Sequence, residues 1–439
     1  MDPVTHGVVG VAAALGICRR FPEAEASCST RLAAALCALL AAEAPDADRW
    51  VDACLKPYGD EGQGLAYMLY HRGPTHTVLA SLAIALLIGG LASAVLRRAS
   101  TFRLLFTVAF AGVALHLGMD AMNDYGVHPF PPISQRWFYG DFLFLAEPTI
   151  SATLLPCVLA LAGVPGSRLV PICLAIGIVA VSALLVTGQW LTQFGAIATV
   201  VWLAIQAFAQ RSRPRVTLAW LSLLGVLTIF FVASRVTRAR AVAWAEARDL
   251  PVTDVATTPA PGNPLCWRFI TLTRKADAFE EHLGVVSLWS RLTHAPGCFS
   301  PPYQPGARPK SVCLSDPTGP DSGPEITEIA AFRGDFRLFE KLAQRNQRAA
   351  ATAHFLRMPF WGYDARGVAC PSGSPLQPLD AAPDKAKLLI GDLRVDYDER
   401  DLGEFCKYAF EANESKHCNR QLPLMASPPL LPLLSPKNR

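Results

Sequence analysis

The chain has 439 residues, of which 51% are hydrophobic and only 17% are charged. Its mean hydropathy of +0.27 is too high for an ordinary soluble protein, so the composition excludes a purely soluble fold. The formal net charge of +4 is small for this length, and nothing in it indicates a nucleic-acid partner.

The N-terminal region begins with two short apolar runs, at residues 7–18 and 32–42. Runs of this length are more often buried, interfacial or re-entrant helices than full membrane crossings. We therefore expect a helical hairpin here, and the sequence leaves open whether its two helices span the membrane.

Longer uncharged runs follow, at residues 77–96, 104–119, 149–167, 169–210 and 216–234. Since roughly 20 apolar residues cross a bilayer, the run at 169–210 is long enough for two helices. The sequence therefore predicts an all-α polytopic membrane domain of about six to eight helices, surrounded by the lipid bilayer. We divide it into residues 1–148, which carry nearly all the unusual polar side chains, and residues 149–234, a four-helix membrane segment.

Arginines cluster in the short segments between these runs, at Arg19–Arg20, Arg97–Arg103, Arg168 and Arg211–Arg215. The positive-inside rule places such short basic loops in the cytoplasm. We therefore expect a multi-pass membrane protein, with its N-terminus and its C-terminal domain on the extracytoplasmic side.

Residues 235–439 predict a soluble extracytoplasmic α+β domain. "WRFITLTRKAD" and "KLLIGDLRVDY" have the β-branched and aromatic content of strands, and "DFRLFEKLAQRNQRAAATAHFL" has the period of an amphipathic helix. Six cysteines, an even number, follow the last apolar run. In an extracytoplasmic domain they predict at least one disulfide, although unpaired thiols are an equal alternative.

Ionisable side chains beside apolar helices are costly to keep there, so they are functional candidates. They occur in four patches near the ends of the first four apolar runs: His6; Asp46 and Asp48; His71, Arg72 and His76; and His116, Asp120 and Asp124. The predicted topology places all four patches on the same side of the membrane. Some members have plainer explanations, since His6 can be a helix-end histidine and both Asp46 and Asp48 can be turn residues.

The last two patches are the strongest candidates for a metal site. His116 and Asp120 are four residues apart, so on a helix they share one face. The intervening proline prevents a helical pairing of His71 and His76, which we expect to flank a turn, with Thr75 capping the third apolar helix.

The residue types in these patches indicate the chemistry. Imidazole and carboxylate ligands without a thiolate suit Zn²⁺ or another divalent first-row ion, so we predict a divalent metal, with zinc as the first choice. Arg72 suits a phosphate or carboxylate oxygen of a substrate. Asp48 or Asp124 is the predicted general base.

Six pieces within residues 1–141 carry a resemblance to a known family: "MDPVTHGVVG", "APDAD", "HRGPTHT", "HLGMDAMNDYG", "HPF" and "RWF…D". Together they resemble the membrane-bound, metal-dependent hydrolases that are also called LexA-binding inner-membrane-associated hydrolases. The resemblance implies a location in the bacterial inner membrane, a bound divalent metal and hydrolase activity. It also implies a shared polar set: His6, Asp46, Asp48, His71, His76, His116 and Asp120. All of these except Asp48 are the predicted metal ligands. The sequence departs from the family pattern at Asn123-Asp124 and at Glu147.

A more distant likeness, to zinc-dependent phospholipases C and P1-type nucleases, favours phosphoester hydrolysis at the membrane surface. The leading hypothesis is a membrane-bound metal-dependent hydrolase that acts on a phosphoester or lipid-linked substrate at the outer face of the inner membrane. One alternative is a transporter or ion-path protein. Another is a structural or signalling membrane protein whose fold is stabilised by a metal.

Overall fold

The computed structural model of the chain describes residues 1–22, 24, 27–48, 72–134, 136–161, 193–209, 216–275, 278–292, 295, 298, 325–335, 357–363, 387–392 and 400–404. His71 and the amphipathic helix predicted from Asp335 onward lie outside these residues, apart from Asp335 itself. The chain forms two compact units. Unit 1 comprises Met1–Val51, Tyr70–Ser234 and Thr258–Pro264, and unit 2 includes Arg235–Thr257 and Leu265–Arg439.

The helices that the structure describes are, in chain order, α1 (Pro3–Cys18), α2 (Cys28–Glu43), α3 (Val78–Val95), α4 (Phe102–Asp120), α5 (Pro148–Leu161), α6 (Gln193–Ala209) and α7 (Val216–Glu246). Three described segments are long and apolar enough to cross a membrane: Val78–Val95, Ala99–Asp120 and Val216–Glu246. α1 is apolar but shorter, as its short run predicted. The total of six to eight helices stays a prediction, because residues 162–192 lie outside the described part.

Side-chain caps fix where α1 and α3 begin. Asp2 caps α1, since its Oδ1 accepts a hydrogen bond from the Thr5 backbone N–H at 3.0 Å. Thr77 caps α3, since its hydroxyl oxygen accepts from the Ala80 N–H at 3.0 Å. The prediction that Thr75 caps this helix is therefore wrong. The short 3₁₀ turn Pro74–His76 comes between, and it moves the start of the helix two residues along the chain.

α2 packs closely against both α1 and α4 through small residues. A Cβ added to Gly10 of α1 would lie 2.9 Å from the backbone oxygen of Ala38, and one added to Gly112 of α4 would lie 2.7 Å from the same oxygen. Because only glycine fits at such distances, the helix backbones approach each other as they do in tightly packed membrane helices. This close packing brings the ends of the helices together.

The C-terminal half contains two sheets, and the two segments predicted as strands lie in one sheet each. Four strands form one sheet in the order β1 (Val252–Ala260), β2 (Asn263–Lys275), β3 (Ala278–Ser287) and β4 (Ile326–Asp335). A second sheet contains β5 (Pro359–Tyr363), β6 (Lys387–Asp392) and β7 (Arg400–Glu404). The pairs β2–β3, β3–β4, β5–β6 and β6–β7 are antiparallel. A disulfide between Cys266 and Cys298 confirms the prediction of at least one in this domain.

Candidate metal centre

Four buried side chains of the ligand type meet at one end of the helices α2, α3 and α4. Asp46 lies in a 3₁₀ turn directly after α2, and His76 ends the turn that precedes α3. His116 and Asp120 come from the last two turns of α4. One ligand atom from each of the four lies within 4.8 Å of the other three. We call these four residues the Asp/His cluster.

The spacing inside the Asp/His cluster matches the ligand shell of a small cation. Nε2 of His76 is 3.5 Å from Oδ1 of Asp46 and 3.4 Å from Oδ2 of Asp120. Nε2 of His116 is 3.7 Å and 3.4 Å from the same two oxygens, and the two Nε2 atoms are 3.2 Å apart. Ligands at about 2.0–2.2 Å from a tetrahedral zinc ion are separated by about 3.3–3.6 Å. The cluster could therefore hold a divalent ion.

A backbone carbonyl orients the ring of His116. Nδ1 of His116 lies 2.6 Å from the carbonyl oxygen of Ala42, which can only accept a hydrogen bond, so Nδ1 carries the proton. This tautomer leaves a lone pair on Nε2, and Nε2 is the atom that faces the cluster. A donor at Nδ1 with a free Nε2 is the usual arrangement of a metal-ligating histidine.

A hydroxyl and a carboxylate orient the ring of His76. Its Nδ1 lies 3.0 Å from the hydroxyl oxygen of Thr75 and 3.4 Å from Oδ2 of Asp48. The Thr75 hydroxyl in turn donates to Oδ2 of Asp48 at 3.2 Å, and the backbone N–H of Arg72 donates to the same oxygen at 2.8 Å. Nε2 of His76 is thereby left to face the cluster, as Nε2 of His116 does.

The guanidinium of Arg72 is buried and holds the second oxygen of Asp120. Nη2 donates to Oδ1 of Asp120 at 3.0 Å, and Nη1 donates to Oδ1 of Asn123 at 3.2 Å and to the Gly126 carbonyl at 2.6 Å. Arg72 has a φ of 56°, a left-handed conformation that is uncommon outside glycine and often occurs at functional sites. These contacts point Oδ2 of Asp120 toward the cluster.

His6 of α1 lies against the cluster from the other side of Asp120. Its ring stacks on the ring of His116 with 3.8 Å between centroids, and its Nε2 is 3.6 Å from Oδ1 of Asp120. Neither ring nitrogen has a hydrogen-bond partner among the described residues, although the side chain is fully buried. The backbone nitrogen of Met1 also contacts Oδ1 of Asp120.

The carboxylates of Asp46, Asp48 and Asp120 create a negative electrostatic field that favours positive charge in the cluster. Burial by itself would lower the pKa of His76, but hydrogen bonds to Asp120, Asp46 and Asp48 raise that pKa to about 9. Burial would raise the pKa of Asp46, but its hydrogen bond from His76 and the charge of His116 hold that pKa below its usual range. The same field that favours a proton on His76 favours a bound cation.

Two further buried carboxylates contact the segment Thr258–Pro264, which comprises the end of β1, the turn and the start of β2 and belongs to unit 1. Asp124 accepts a hydrogen bond from the hydroxyl of Thr258. Oε1 of Glu147 accepts from the Thr149 hydroxyl at 2.7 Å and from the Gly262 N–H at 3.1 Å. Asp124 is thus not one of the four residues of the Asp/His cluster.

The structure brings most of the predicted site residues together. Asp46, His76, His116 and Asp120 form the cluster, while His6, Asp48 and Arg72 contact its members. His71 lies outside the described residues. Sequence reasoning missed Ala42, because a backbone carbonyl leaves no mark on the sequence. It also gave no role to Asn123, although that residue's departure from the family pattern was a signal.

Together these features define a membrane protein with a buried Asp/His cluster that could bind a metal ion. Residues 1–211 are similar to the family described as YdjM inner membrane protein, a match that covers just under half of the chain. The match and the three apolar helices support membrane association. No curated protein and no solved structure matches the chain.

Proposed function

We propose that the protein is a membrane-bound hydrolase that depends on a divalent metal held by the Asp/His cluster, with a phosphoester as substrate. The donor set carries this proposal. Structural zinc sites are dominated by cysteine, whereas catalytic sites combine histidine with carboxylate. The cluster offers two imidazoles and two carboxylates and no thiolate. The resemblance of the N-terminal motifs to metal-dependent hydrolases supports the same conclusion.

A bound divalent ion would supply a Lewis acid that activates water and polarises a phosphoryl oxygen. Asp46, His76, His116 and Asp120 hold the ion, and the ligand types and near-tetrahedral spacing favour zinc. His6 and His71 are further ligands in our proposal.

The groups around the ligands have separate roles. The contacts of Asp48 with His76 and of Arg72 with Asp120 support positioning roles for both. The general-base role of Asp48 or Asp124, and the contact of Arg72 with a substrate oxygen, stay predictions.

The proposed orientation puts the cluster and the C-terminal domain on the extracytoplasmic side of the inner membrane. Two independent observations support it. Arginines concentrate in the short loops that this orientation leaves in the cytoplasm. The Cys266–Cys298 disulfide suits an oxidising compartment.

A structural metal site is the second candidate. It is favoured by the burial of all four ligands and by a ligand count that can close a tetrahedral shell without leaving room for water. A metal there would join the ends of α2, α3 and α4 and stabilise the fold.

Metal content and hydrolysis, measured on the same samples, test the proposal. We expect detergent-purified protein to contain at least one divalent ion per chain and to hydrolyse members of a panel of phosphomonoesters and phosphodiesters. A chelator should abolish the activity, and added zinc should restore it. His116→Ala should lose most of the metal and the activity, because it removes one of the four cluster ligands.

His128→Phe is the matched control. His128 is also buried, and its ring packs on Trp137 with 4.3 Å between centroids, a contact that phenylalanine keeps. This variant should retain metal and activity. Full metal content in His116→Ala would rule out the centre. Bound metal without hydrolysis of any ester in the panel would favour the structural site instead.

A further inference from the structure

An apolar cavity of about 200 Å³ lies between α1, α4, α5 and α7, within unit 1. No residue described around it has a charged or hydroxyl side chain, and the lining is Val9, Ala114, Leu115, Gly118, Met119, Met122, Ile150, Trp220, Leu223, Leu224 and Leu227. The cavity is open on one side, where Leu224 is 60% exposed, and an apolar wall of this kind favours apolar groups because a polar group there would lose its hydration without a hydrogen-bond partner. This cavity therefore suits several methylene groups and offers nothing to a polar ligand.

The cavity and the Asp/His cluster share the C-terminal turns of α4. Gly118 is two residues from both His116 and Asp120, so it lies on the opposite face of that helix. Met119, which precedes Asp120, and Val9, which is one turn after His6 in α1, also line the cavity. The apolar cavity is thus next to the metal ligands, separated from them by the end of one helix.

The helices around the cavity indicate which ligand can reach it. α4 and α7, which provide most of the lining, are both long and apolar enough to cross a membrane. A cavity between such helices is next to the hydrocarbon of the bilayer, where acyl chains are the surrounding solvent. A Cβ added to Gly118 would meet nothing within 4 Å, so the wall of α4 leaves space at this point.

We propose that the cavity holds an acyl chain of a membrane phospholipid whose phosphoester lies at the Asp/His cluster, which makes the substrate class a lipid. The inference rests on the proposed function, since the cluster is taken as the reacting centre. In this proposal the apolar cavity holds the chain, and the headgroup extends past Asp120, at the C-terminal end of α4, to the cluster.

Photolabelling with a lipid tests the cavity directly. Wild-type protein is placed in vesicles of phosphatidylethanolamine and phosphatidylglycerol that contain a phosphatidylglycerol with a diazirine in its acyl chain. We expect labelled peptides from Ala114–Met122 and Trp220–Leu227. In Gly118→Leu their labelling should fall about tenfold, the effect of excluding about two buried methylene groups. Label on Val78–Val95, whose exposed leucines do not line the cavity, is the internal reference.

Gly225→Leu is the matched control. Gly225 lies on α7 beside the lining residue Leu224, and a Cβ there also meets nothing within 4 Å, but Gly225 does not line the cavity. This variant should label as the wild type does. Ala114→Leu, a smaller change in the same wall, replaces Gly118→Leu if that variant does not insert.

The outcomes separate this inference from the proposed function. No label above the reference in the wild-type segments, or equal label in Gly118→Leu, would overturn the lipid cavity even if the protein binds metal and hydrolyses phosphoesters. Cavity labelling in a protein that lacks metal and activity would instead overturn the proposed function and leave a lipid-binding site.

Discussion

The two histidines of the cluster are oriented by different kinds of acceptor. A backbone carbonyl fixes His116, whereas the Thr75 hydroxyl and the Asp48 carboxylate fix His76. Only the second arrangement can be changed by a side-chain substitution. Asp48 is therefore the residue at which positioning can be tested without removing a cluster ligand.

Asp48→Asn should weaken metal binding by about 10- to 100-fold, the usual effect of losing a carboxylate behind a ligating histidine. Asp124→Asn is the control, since Asp124 is also buried, accepts a hydrogen bond from Thr258 and is not one of the four cluster residues. Competition with a chelator measures both affinities. Equal affinities in the two variants would show that Asp48 does not orient the ligand.

Glu147 is a second residue whose environment makes a prediction. Burial raises its pKa from 4.5 to about 7, although hydrogen bonds from Thr149 and Gly262 oppose the shift. Because the folded state then holds a proton that the unfolded state releases, this group's stabilisation is complete below about pH 4.5. It is lost as the pH rises to about 7, with an amplitude on the order of 3 kcal/mol.

Glu147→Gln should remove this part of the pH dependence, since glutamine keeps an acceptor for Gly262 and does not ionise. Thermal unfolding in detergent between pH 4.5 and 7 provides the measurement. If the wild type does not lose stability relative to the variant over this range, the carboxyl does not titrate there.

At the scale of elements, the close contact between α2 and α4 determines the position of His116 in the cluster. Gly112 meets the Ala38 carbonyl, and one turn further along both helices His116 donates to the Ala42 carbonyl. The close approach of the helices at Gly112 therefore puts His116 within hydrogen-bond distance of α2. The position and hydrogen bond of His116 therefore depend on Gly112, a residue that has no reactive side chain.

Gly112→Ala should destabilise the protein by about 1–3 kcal/mol and lower its metal content, because the added methyl forces α4 away from α2. Gly90→Ala in α3 is the control, since a Cβ there meets nothing within 4 Å. Thermal midpoints and elemental analysis compare the two variants. A Gly112→Ala protein with normal metal content would mean that the helices adjust without moving His116.

The sequence predicted this part of the site unevenly. The spacing of His116 and Asp120 was enough to place both on one face of α4, because helical period is local. The residue that caps α3 could not be predicted in the same way, because both Thr75 and Thr77 suit a helix start. The 3₁₀ turn Pro74–His76 decides between them. The role of Ala42 depends on how two helices pack, which no local pattern records.

At the scale of the whole molecule, the charge pattern predicts which side of the membrane each end of a helix occupies. Because successive apolar helices cross the membrane in opposite directions, the sequence predicts that Asp46, His76 and Asp120 lie on the same side of it. In the structure these residues meet at one end of the helices. It could not give the distances, because those come from the glycine contacts between helices. Composition predicted two of the strands in the C-terminal half, those now seen as β2 and β6, whereas the other strands and the pairing of Cys266 with Cys298 required the fold.

A reporter that is active only outside the cytoplasm should work when it is fused after Arg439, because the arginine-rich loops are predicted to stay inside. Fusion after Arg98, in the loop between α3 and α4, is the matched control and should be inactive. The reverse result would invert the topology and move the cluster to the cytoplasmic face.

The segment Thr258–Pro264 belongs to unit 1 but is synthesised later than the helices of that unit. It leaves the ribosome after the helices of that unit up to Ser234, yet Asp124 takes a hydrogen bond from Thr258 and Glu147 takes one from Gly262. A nascent chain that ends at Ser234 lacks both donors, so each carboxylate has at least one hydrogen bond fewer than in the completed unit, and a typical hydrogen bond contributes about 0.5–1.5 kcal/mol. The membrane half therefore gains these two contacts only once the chain has been synthesised as far as Gly262 and, in the proposed topology, exported.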